Sequence, residues 1–397
     1  MVMVLLFWLC VGSILYTYLG YPLLLWALAR RKPQHLSGMF MTPPVTLLIA
    51  AYNEAKIIAR KLENSLALNY PLDRLQILVA ADGSDDATPD IVRSFAERNI
   101  ELSYSPERRG KMAAINRAMP LVRGEVIVFS DANNMYDSNA LRELIGHFAD
   151  PAVGAVTGAK VIESGDGVLG ESEGLYWKYE SFIKERETRL GSCSGVAGEI
   201  LALWRDLYQP PPDHIINDDF YIAMSVIKRG YRVVYAPTAH SAERVSASAQ
   251  DEMVRRARIV AGRYQAIALA GELLPWNQPL VVWQVISHKF LRPLVPVAMI
   301  GALLANLAAV VWPTEASGPL GGFLLASPVN WILLALQLAF YGAAWLGGRI
   351  GKHGPLGKLL YLPTFLVNSN LAALVGLFRF LRKRQTTLWQ RARRAEG

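Results

Sequence analysis

The stretch from Val2 to Ala29 contains no charged side chain. It is long enough to cross the hydrocarbon core of a bilayer, about 30 Å thick. It lacks the basic start and small-residue exit of a cleaved signal peptide and is longer than one, so an anchor is expected. Cysteine is nearly absent: Cys10 lies inside that stretch and Cys193 in mid-chain. Two cysteines so placed exclude a disulfide framework, and alone they cannot build a zinc site. Internal repeats and low-complexity tracts are missing too, which argues against a solenoid. The basic face of a nucleic-acid-binding domain is also lacking. The net charge is +8, but the bases flank apolar segments: Arg30 to Lys32, Lys289 and Arg292, Arg349 and Lys352, and Arg379 to Arg394. That distribution suits anionic headgroups at a membrane surface, and no nucleic-acid partner is expected.

Apolar sequence is abundant: 52% of the 397 residues are hydrophobic, and the mean hydropathy is +0.22. Such a length predicts more than one module. Beyond the N-terminal stretch, Leu294 to Val311, Val329 to Gly348 and Leu359 to Phe378 are apolar. From Gln250 to about Arg292 the chain turns basic and then amphipathic, with Trp276, Trp283 and Lys289 among apolar residues. This predicts a segment along the membrane interface. Arg30 to Lys32 place Met1 outside and the next segment in the cytoplasm. The loop from Trp312 to Ser327 has one acid and no base and is expected outside; Gly347 to Lys358 is basic and is expected inside. Pro363 and Asn368-Ser369-Asn370 interrupt the last apolar segment, and seven Arg or Lys follow between 379 and 394. That segment is expected to re-enter or lie in the interface, with the tail inside.

Residues 33 to 44 read as a short proline-containing link. Residues 45 to about 245 alternate strand-like and helix-like runs, the pattern of a doubly wound α/β domain. Three buried strand runs stop on acids. Val45 to Ala51 leads into Tyr52-Asn53-Glu54, Leu75 to Ala81 into Asp82-Gly83-Ser84-Asp85-Asp86, and Glu125 to Ser130 into Asp131-Ala132-Asn133. Open α/β sheets bind ligands at the carboxyl ends of their strands. Glu54, Asp82 and Asp131 converging there suggest a divalent cation and a hydrogen-bonded nucleoside. Helices are expected over Ala55 to Leu68, from Thr88-Pro89, over Gly110 to Ala118, Asn139 to Phe148 and Tyr221 to Arg229. Val153 to Val161 and Arg232 to Ala236 are strand-like.

Each of these residues has a plainer reading beside the functional one. Asp131 alone serves equally as a cap of the following loop and as a ligand of Mg2+ or Mn2+, with Asn133 adding a neutral oxygen; the other strand-end acids favour the ligand. Asp-Gly-Ser and Asn-Glu also make turns and caps, and that is the expected work of Asp85 and Asp86. Gly110-Lys111 offers a backbone amide and an ammonium to an anion, whereas Arg108 and Arg109 are expected in solvent. The glycine-rich run Gly191 to Gly198 lacks P-loop spacing. It is either a flexible connection or a place where a substrate approaches the backbone closely. Asp218 and Asp219 either cap the following helix or supply a general base. Arg255, Arg256, Arg258 and Arg263 fall on one helix and meet headgroups or a pyrophosphate. His240 reads as structural.

In this order, Ala51-Tyr52-Asn53-Glu54, Ala81-Asp82-Gly83-Ser84, Gly110-Lys111, Asp131-Ala132-Asn133, Asn217-Asp218-Asp219 and an arginine-rich helix resemble a membrane-bound glycosyltransferase of family 2, the group holding cellulose, chitin and hyaluronan synthases. The resemblance covers residues 45 to 265 and, more loosely, the apolar C-terminal third. It implies an α/β, GT-A-like, Rossmann-type nucleotide-sugar-binding domain with transmembrane and interfacial helices at both ends. The implied parts are an N-terminal anchor (1–32), a cytoplasmic catalytic domain (45–265), interfacial helices (266–292), membrane helices (293–380) and a basic cytoplasmic tail (381–397). The implied setting is a multi-pass protein of the inner (plasma) membrane.

The implied reaction is inverting transfer from a nucleotide-diphosphate-sugar, a UDP-sugar first, to a glycan or lipid-linked acceptor. Tyr52, Glu54, Asp82, Lys111 and Arg258 would bind the donor, and Asp131 and Asn133 would hold Mg2+ or Mn2+. Asp219, or Asp218 one register away, would take the acceptor proton, with Gly195 and Gly198 on the acceptor side. Two departures stand out. The second acid of the family's Asp-x-Asp is Asn133 here. The Gln-x-x-Arg-Trp of processive synthases reads Arg255-Arg256-Ala257-Arg258-Ile259, so a short product or a modified lipid is expected rather than a long homopolymer. The alternative is a non-catalytic membrane subunit of a polysaccharide export or synthesis complex; loss of Asp131 or Asp219 would favour it, and both are present.

Overall fold

The computed structural model describes residues 1–32, 41–162, 167–244, 249–313, 323–350 and 354–382. Most of the 33–44 link, parts of the two connecting loops between the last three apolar segments, and residues 383–397 of the basic tail lie outside the described residues. The chain divides into two compact units, one drawn from residues 1–24, 256–264 and 286–384, the other from 25–255 and 265–285.

The second unit is built on an eight-stranded sheet. In chain order the strands are β1 (Val45–Ala51), β2 (Leu75–Asp82), β3 (Ile100–Ser105), β4 (Val126–Asp131), β5 (Asn134–Tyr136), β6 (Val153–Ile162), β7 (Leu201–Trp204) and β8 (Arg232–Glu243). Their spatial order is β3-β2-β1-β4-β7-β6-β8-β5. β1, β2 and β4 are predominantly apolar and buried along nearly their whole length, as parallel strands covered on both faces are, with Thr46 and Gln76 satisfying each other inside. Leu47, Ile49, Val79 and Val128 are fully buried in one core cluster. Ala51 is level with Ala81 and Ala50 with Asp131, so β1, β2 and β4 end at one edge of the sheet.

The doubly wound expectation holds for β3-β2-β1-β4, which are parallel. It fails beyond β4. β7 runs antiparallel to β4 and β6, and β5 antiparallel to β8, making that half a mixed sheet. Two expected boundaries also shift. The helix expected over 55–68 is Ile58–Leu66, because Asp86 and Thr88 receive the amides of Ala55 and Glu54 and hold the preceding turn out of the helix. β8 extends seven residues past Ala236, to Glu243, pairing with β6 across an irregularity at Gly158/Ala159.

The first unit contains helices long and apolar enough to cross a membrane. Among the described residues there are four such spans: Val2–Ala29, Pro279–Val311, Val329–Ile350 and Leu359–Leu381. At most 33% of the apolar window of any of them is buried within the protein, leaving large apolar faces that water would not tolerate. Val4 and Phe7 pack against Ala302, Ala305 and Ala309, and Gly347 lets the backbone approach Thr364 and Leu360 closely, as small residues do between membrane helices.

Two sequence expectations change here. The helix Pro279–Val311 runs without a break through the boundary expected between 292 and 293. The break expected at Pro363 and Asn368 to Asn370 is absent: Gly354–Leu381 is one helix. Its polar groups are satisfied inside the unit. Thr364 donates to the carbonyls of Leu360 and Ala344. Asn370 donates to the Leu366 carbonyl and to Tyr18, and Ser369 accepts from Arg256. Such side-chain bonding is what lets a proline stay within a membrane helix.

Candidate active site

At the carboxyl edge of β1 and β2 a pocket opens beside the helix Lys111–Ala118. Its floor is made of the small residues Ala50, Ala51, Ala80 and Ala114. Tyr52 forms one wall, with the Arg108 guanidinium stacked 3.8 Å from its ring centroid. Arg108 is thus exposed but packed, whereas Arg109 pairs at the surface with Glu107 at 2.7 Å.

Asp82 forms another wall. Its carboxylate accepts the backbone amides of Arg109, at 3.1 Å, and Gly110, at 2.6 Å, so it shapes the loop leading to Lys111. Four lone-pair positions on a carboxylate leave room for a further donor. Gly83 is required for this loop to close: it sits at φ +63°, and a Cβ there would lie 2.5 Å from the Arg108 Cβ. Glu54 is 4% exposed and is not among the residues that line the pocket. Asp85 bonds Asn53 on both its carboxylate and its amide, and Asp86 receives the amides of Ala55 and Thr88. Both therefore do turn and cap work.

Next to the pocket, Lys111 Nζ donates to Asp131 Oδ1 at 2.6 Å, each side chain about one-fifth exposed. Burial works against the lysine charge, but Asp131, Asp218 and Glu199 together outweigh it and hold its pKa above the ordinary lysine value. Asn133 lies in the turn after Asp131. Among the described residues no group of three or more His, Cys, Asp or Glu is gathered to hold a metal ion. One carboxylate and one amide oxygen fit Mg2+ or Mn2+ only where a substrate diphosphate completes the shell, which is the usual way such ions are bound.

Facing this arrangement, Asp218 and Asp219 occupy the first turn of the helix Asp218–Lys228. Asp219 Oδ1 accepts its neighbour Phe220's amide at 2.7 Å. Burial, and next the charge of Asp218, push the Asp219 pKa up to about 6. The glycine-rich run packs against this turn. A Cβ on Gly198 would lie 3.1 Å from the Asp219 Cβ. The run is firmly held rather than loose: the Cys193 amide bonds the Val233 carbonyl, Ser194 bonds Glu187 through amide and hydroxyl, and the Ala197 amide bonds Thr157. Gly195 is buried in the same run.

Several site residues escaped the sequence reading. Glu199 follows Gly198 directly and pairs with buried Lys160 at 3.4 Å; Lys160 also pairs with Glu243. Burial opposes the Glu199 charge, but Lys160, then Lys184 and Lys111, prevail and draw its pKa down to about 2. Lys61 is fully buried on the inner stripe of its helix with Ile58, Leu62 and Ser65. A lysine at an apolar i, i+3, i+4 position is a signal the sequence did carry. Burial pushes its pKa down to about 7, against the pull of Asp131. The structure gathers Tyr52, Asp82, Lys111, Asp131, Asp218, Asp219 and Gly198 within one unit. Arg258, on the helix Ala249–Ala268, belongs to the other unit and makes no hydrogen bond or ion pair among the described residues. His240 bonds Asp137 at 2.8 Å.

Residues 46–209 match the profile of glycosyl transferase family 2. Poly-beta-1,6-N-acetyl-D-glucosamine synthase from Staphylococcus aureus (strain COL) is 30% identical over 203 residues, 49% of this chain and 48% of that protein. The probable glycosyltransferase YdaM from Bacillus subtilis (strain 168) is 28% identical over 229 residues, 53% of each. The chain thus spans about half the length of the curated relatives it matches. A solved mannosyltransferase from Pyrobaculum calidifontis, in complex with GDP-Man and Mn2+, superposes with a TM-score of 0.67 at 24% identity, over 93% of this chain and 99% of that one. That similarity establishes a common fold.

Proposed function

Because residues 46–209 form a glycosyltransferase family 2 domain, we propose that this chain is an inverting glycosyltransferase that moves a sugar from a nucleotide-diphosphate-sugar to a glycan or lipid-linked acceptor at the cytoplasmic membrane face. One observation carries the reading. Lys111 feels Asp131 from the end of β4 and Asp218 from the opposing helix, and Asp219 in turn feels Lys111 and Glu199. The acids of the donor side and of the acceptor side thus share one electrostatic centre beside the Tyr52–Asp82 pocket.

In this reading the nucleobase lies against Tyr52 and donates to Asp82, and the diphosphate lies toward Lys111 and the amides opening its helix. Asp131 and Asn133 are the residues that would hold a divalent cation, which when bound would supply Lewis-acid neutralisation of the leaving group's charge. Lys111, now paired with Asp131, is placed to turn its ammonium to the same oxygens. Asp219 accepts the proton of the acceptor hydroxyl as that oxygen attacks the anomeric carbon, the sugar–phosphate bond breaks, and configuration inverts. A base with a pKa of about 6 is ionised at neutral pH and basic enough to serve. Gly198 keeps the wall beside Asp219 low enough for an acceptor. The relatives suggest N-acetylglucosamine and mannose as first sugars to try, and GDP as a carrier to set beside UDP.

The test is release of nucleotide by purified full-length protein offered UDP-, GDP- and dTDP-sugars, with Mg2+ or Mn2+ and with excess chelator. Release from one donor class, abolished by chelator and by Asp131→Ala, is the expected result. Full activity in chelator would remove the cation from the scheme, and no release from any donor would remove the reaction.

A further inference from the structure

Among the described residues Lys61 is a fully buried lysine that the transfer scheme does not use, and it lies against the turn that carries Asp131 and Asn133. Its side chain is 0% exposed. Nζ donates to the Asn134 carbonyl at 2.8 Å and to Asn134 Oδ1 at 3.3 Å, and lies 4.3 Å from the Tyr136 ring centroid. Asn134 is itself fully buried. Its Oδ1 also accepts from Ser130, and its Nδ2 donates to the Glu199 carbonyl at 2.9 Å and to Ser241 at 2.7 Å. Tyr136 adds a second tie, its hydroxyl reaching the carbonyls of Phe129 at 3.0 Å and Glu199 at 2.8 Å. Glu199 adjoins Gly198, which abuts Asp219. One unbroken chain of contacts, buried at Lys61 and part-buried where it reaches Glu199, therefore runs from Lys61, through Asn134 and Tyr136, to the loop on the acceptor side.

From this geometry we infer that Lys61 and Asn134 are positioning residues: a buried latch that holds the Asp131–Asn133 turn in register with the Gly195–Glu199 loop, and so the donor's anomeric carbon in line with the base. The inference rests on the transfer reading above and names the residues that set its alignment. Lys61 touches no substrate, since it has no exposed surface. A buried amine is a costly way to fill a core position, and a methionine of similar shape would avoid that cost. The lysine is useful where its several donors must pin one carbonyl and one amide oxygen at once. Its position on an otherwise apolar stripe adds that only its tip is polar work, while its stem packs as core.

Misalignment of the two sides has a distinct signature. The nucleobase end of the pocket is formed by Tyr52, Asp82 and Arg108, to which Lys61, Asn134 and Tyr136 make no hydrogen bond, so nucleotide binding in the absence of a divalent cation is spared, whereas cation-assisted binding through the Asp131 turn is not. Transfer is not spared, and a donor whose sugar no longer faces the acceptor meets water instead. The experiment uses full-length protein in detergent or nanodiscs, with UDP and GDP in excess chelator as binding probes and with the donor that the wild type turns over. Lys61→Met removes the bonds and keeps the bulk; Tyr136→Phe removes one hydroxyl and keeps the ring, and decides the matter if Lys61→Met does not fold. Both are expected to bind nucleoside diphosphate in chelator like wild type. Transfer is expected to fall, by up to about 10²-fold for Lys61→Met, the scale of a small displacement at the reacting centre, and the share of donor lost to hydrolysis to rise. Wild-type kcat, or a loss of transfer that only mirrors a loss of nucleotide binding and melting temperature with no change in the hydrolysed share, overturns the latch. If the wild type itself binds neither nucleotide and turns over no donor, the transfer reading falls first.

Discussion

At the scale of single residues, the site joins groups that are legible locally with groups that are not. Asp131 and Asp219 stand out in sequence because a strand that ends on an acid, or a helix that opens on two, is a local pattern. Glu199, Asn134 and Lys61 do not, because the partners that place them in the site lie 39 to 107 residues away. The raised pKa of Asp219 sets the pH dependence. The base works as the carboxylate, so kcat/KM is expected to climb with pH through about 6 and then level off. Asp218→Asn removes the neighbouring negative charge, makes the Asp219 carboxylate easier to form, and is expected to move that acid limb to lower pH. An unmoved limb, or one moved upward, would show that another group titrates. Gly198→Ala places a methyl 3.1 Å from the Asp219 Cβ. It is expected to cost transfer about tenfold or more with little change in melting temperature, since the crowding falls on the catalytic turn.

At the scale of elements, β1, β2 and β4 were readable because full apolar runs can only be covered on both faces. The mixed half of the sheet was not. β5 is three residues long, β7 four, and the pairing of β6 with β8 is set by contacts far apart in sequence. The polar residues late in β8 hide its length: Lys160 pairs Glu243 inside the protein, so the acid that looks like a loop residue is buried. The turn after β2 depends on one residue. Gly83→Ala would force a side chain into φ +63° and into the Arg108 backbone. It is expected to destabilise the catalytic unit by about 1–3 kcal/mol, read as a lowered melting temperature, and to weaken nucleotide binding because Arg108 and Asp82 move with that turn. An unchanged melting temperature would mean the turn relaxes into another shape.

At the scale of the whole molecule, the apolar spans were evident from composition, while their limits were not, since Thr364, next to the proline, and Asn370 inside Gly354–Leu381 find their partners Ala344 and Tyr18 only in the folded unit. The bases that follow Val2–Ala29 predict a cytoplasmic catalytic unit. Glu107→Cys, at a side chain 65% exposed, in a Cys10→Ser background, is expected to label in inside-out vesicles and not in intact cells; efficient labelling of intact cells would reverse the orientation. The arginine helix lacks the Gln and Trp of the processive motif, so sized products are expected to be short glycans or a modified lipid, and chains of very high mass would contradict this.

The central claim is glycosyl transfer with Asp219 as the base, and a single-turnover comparison of wild type with Asp219→Asn tests it most directly. The donor is whichever nucleotide-sugar the wild type consumes, and bound donor and glycosidic product are measured in the same mixture. The account predicts equal donor binding and a loss of product formation on the order of 10²-fold or more in the variant. Undiminished transfer by Asp219→Asn, or its loss in Asp218→Asn alone, would contradict it.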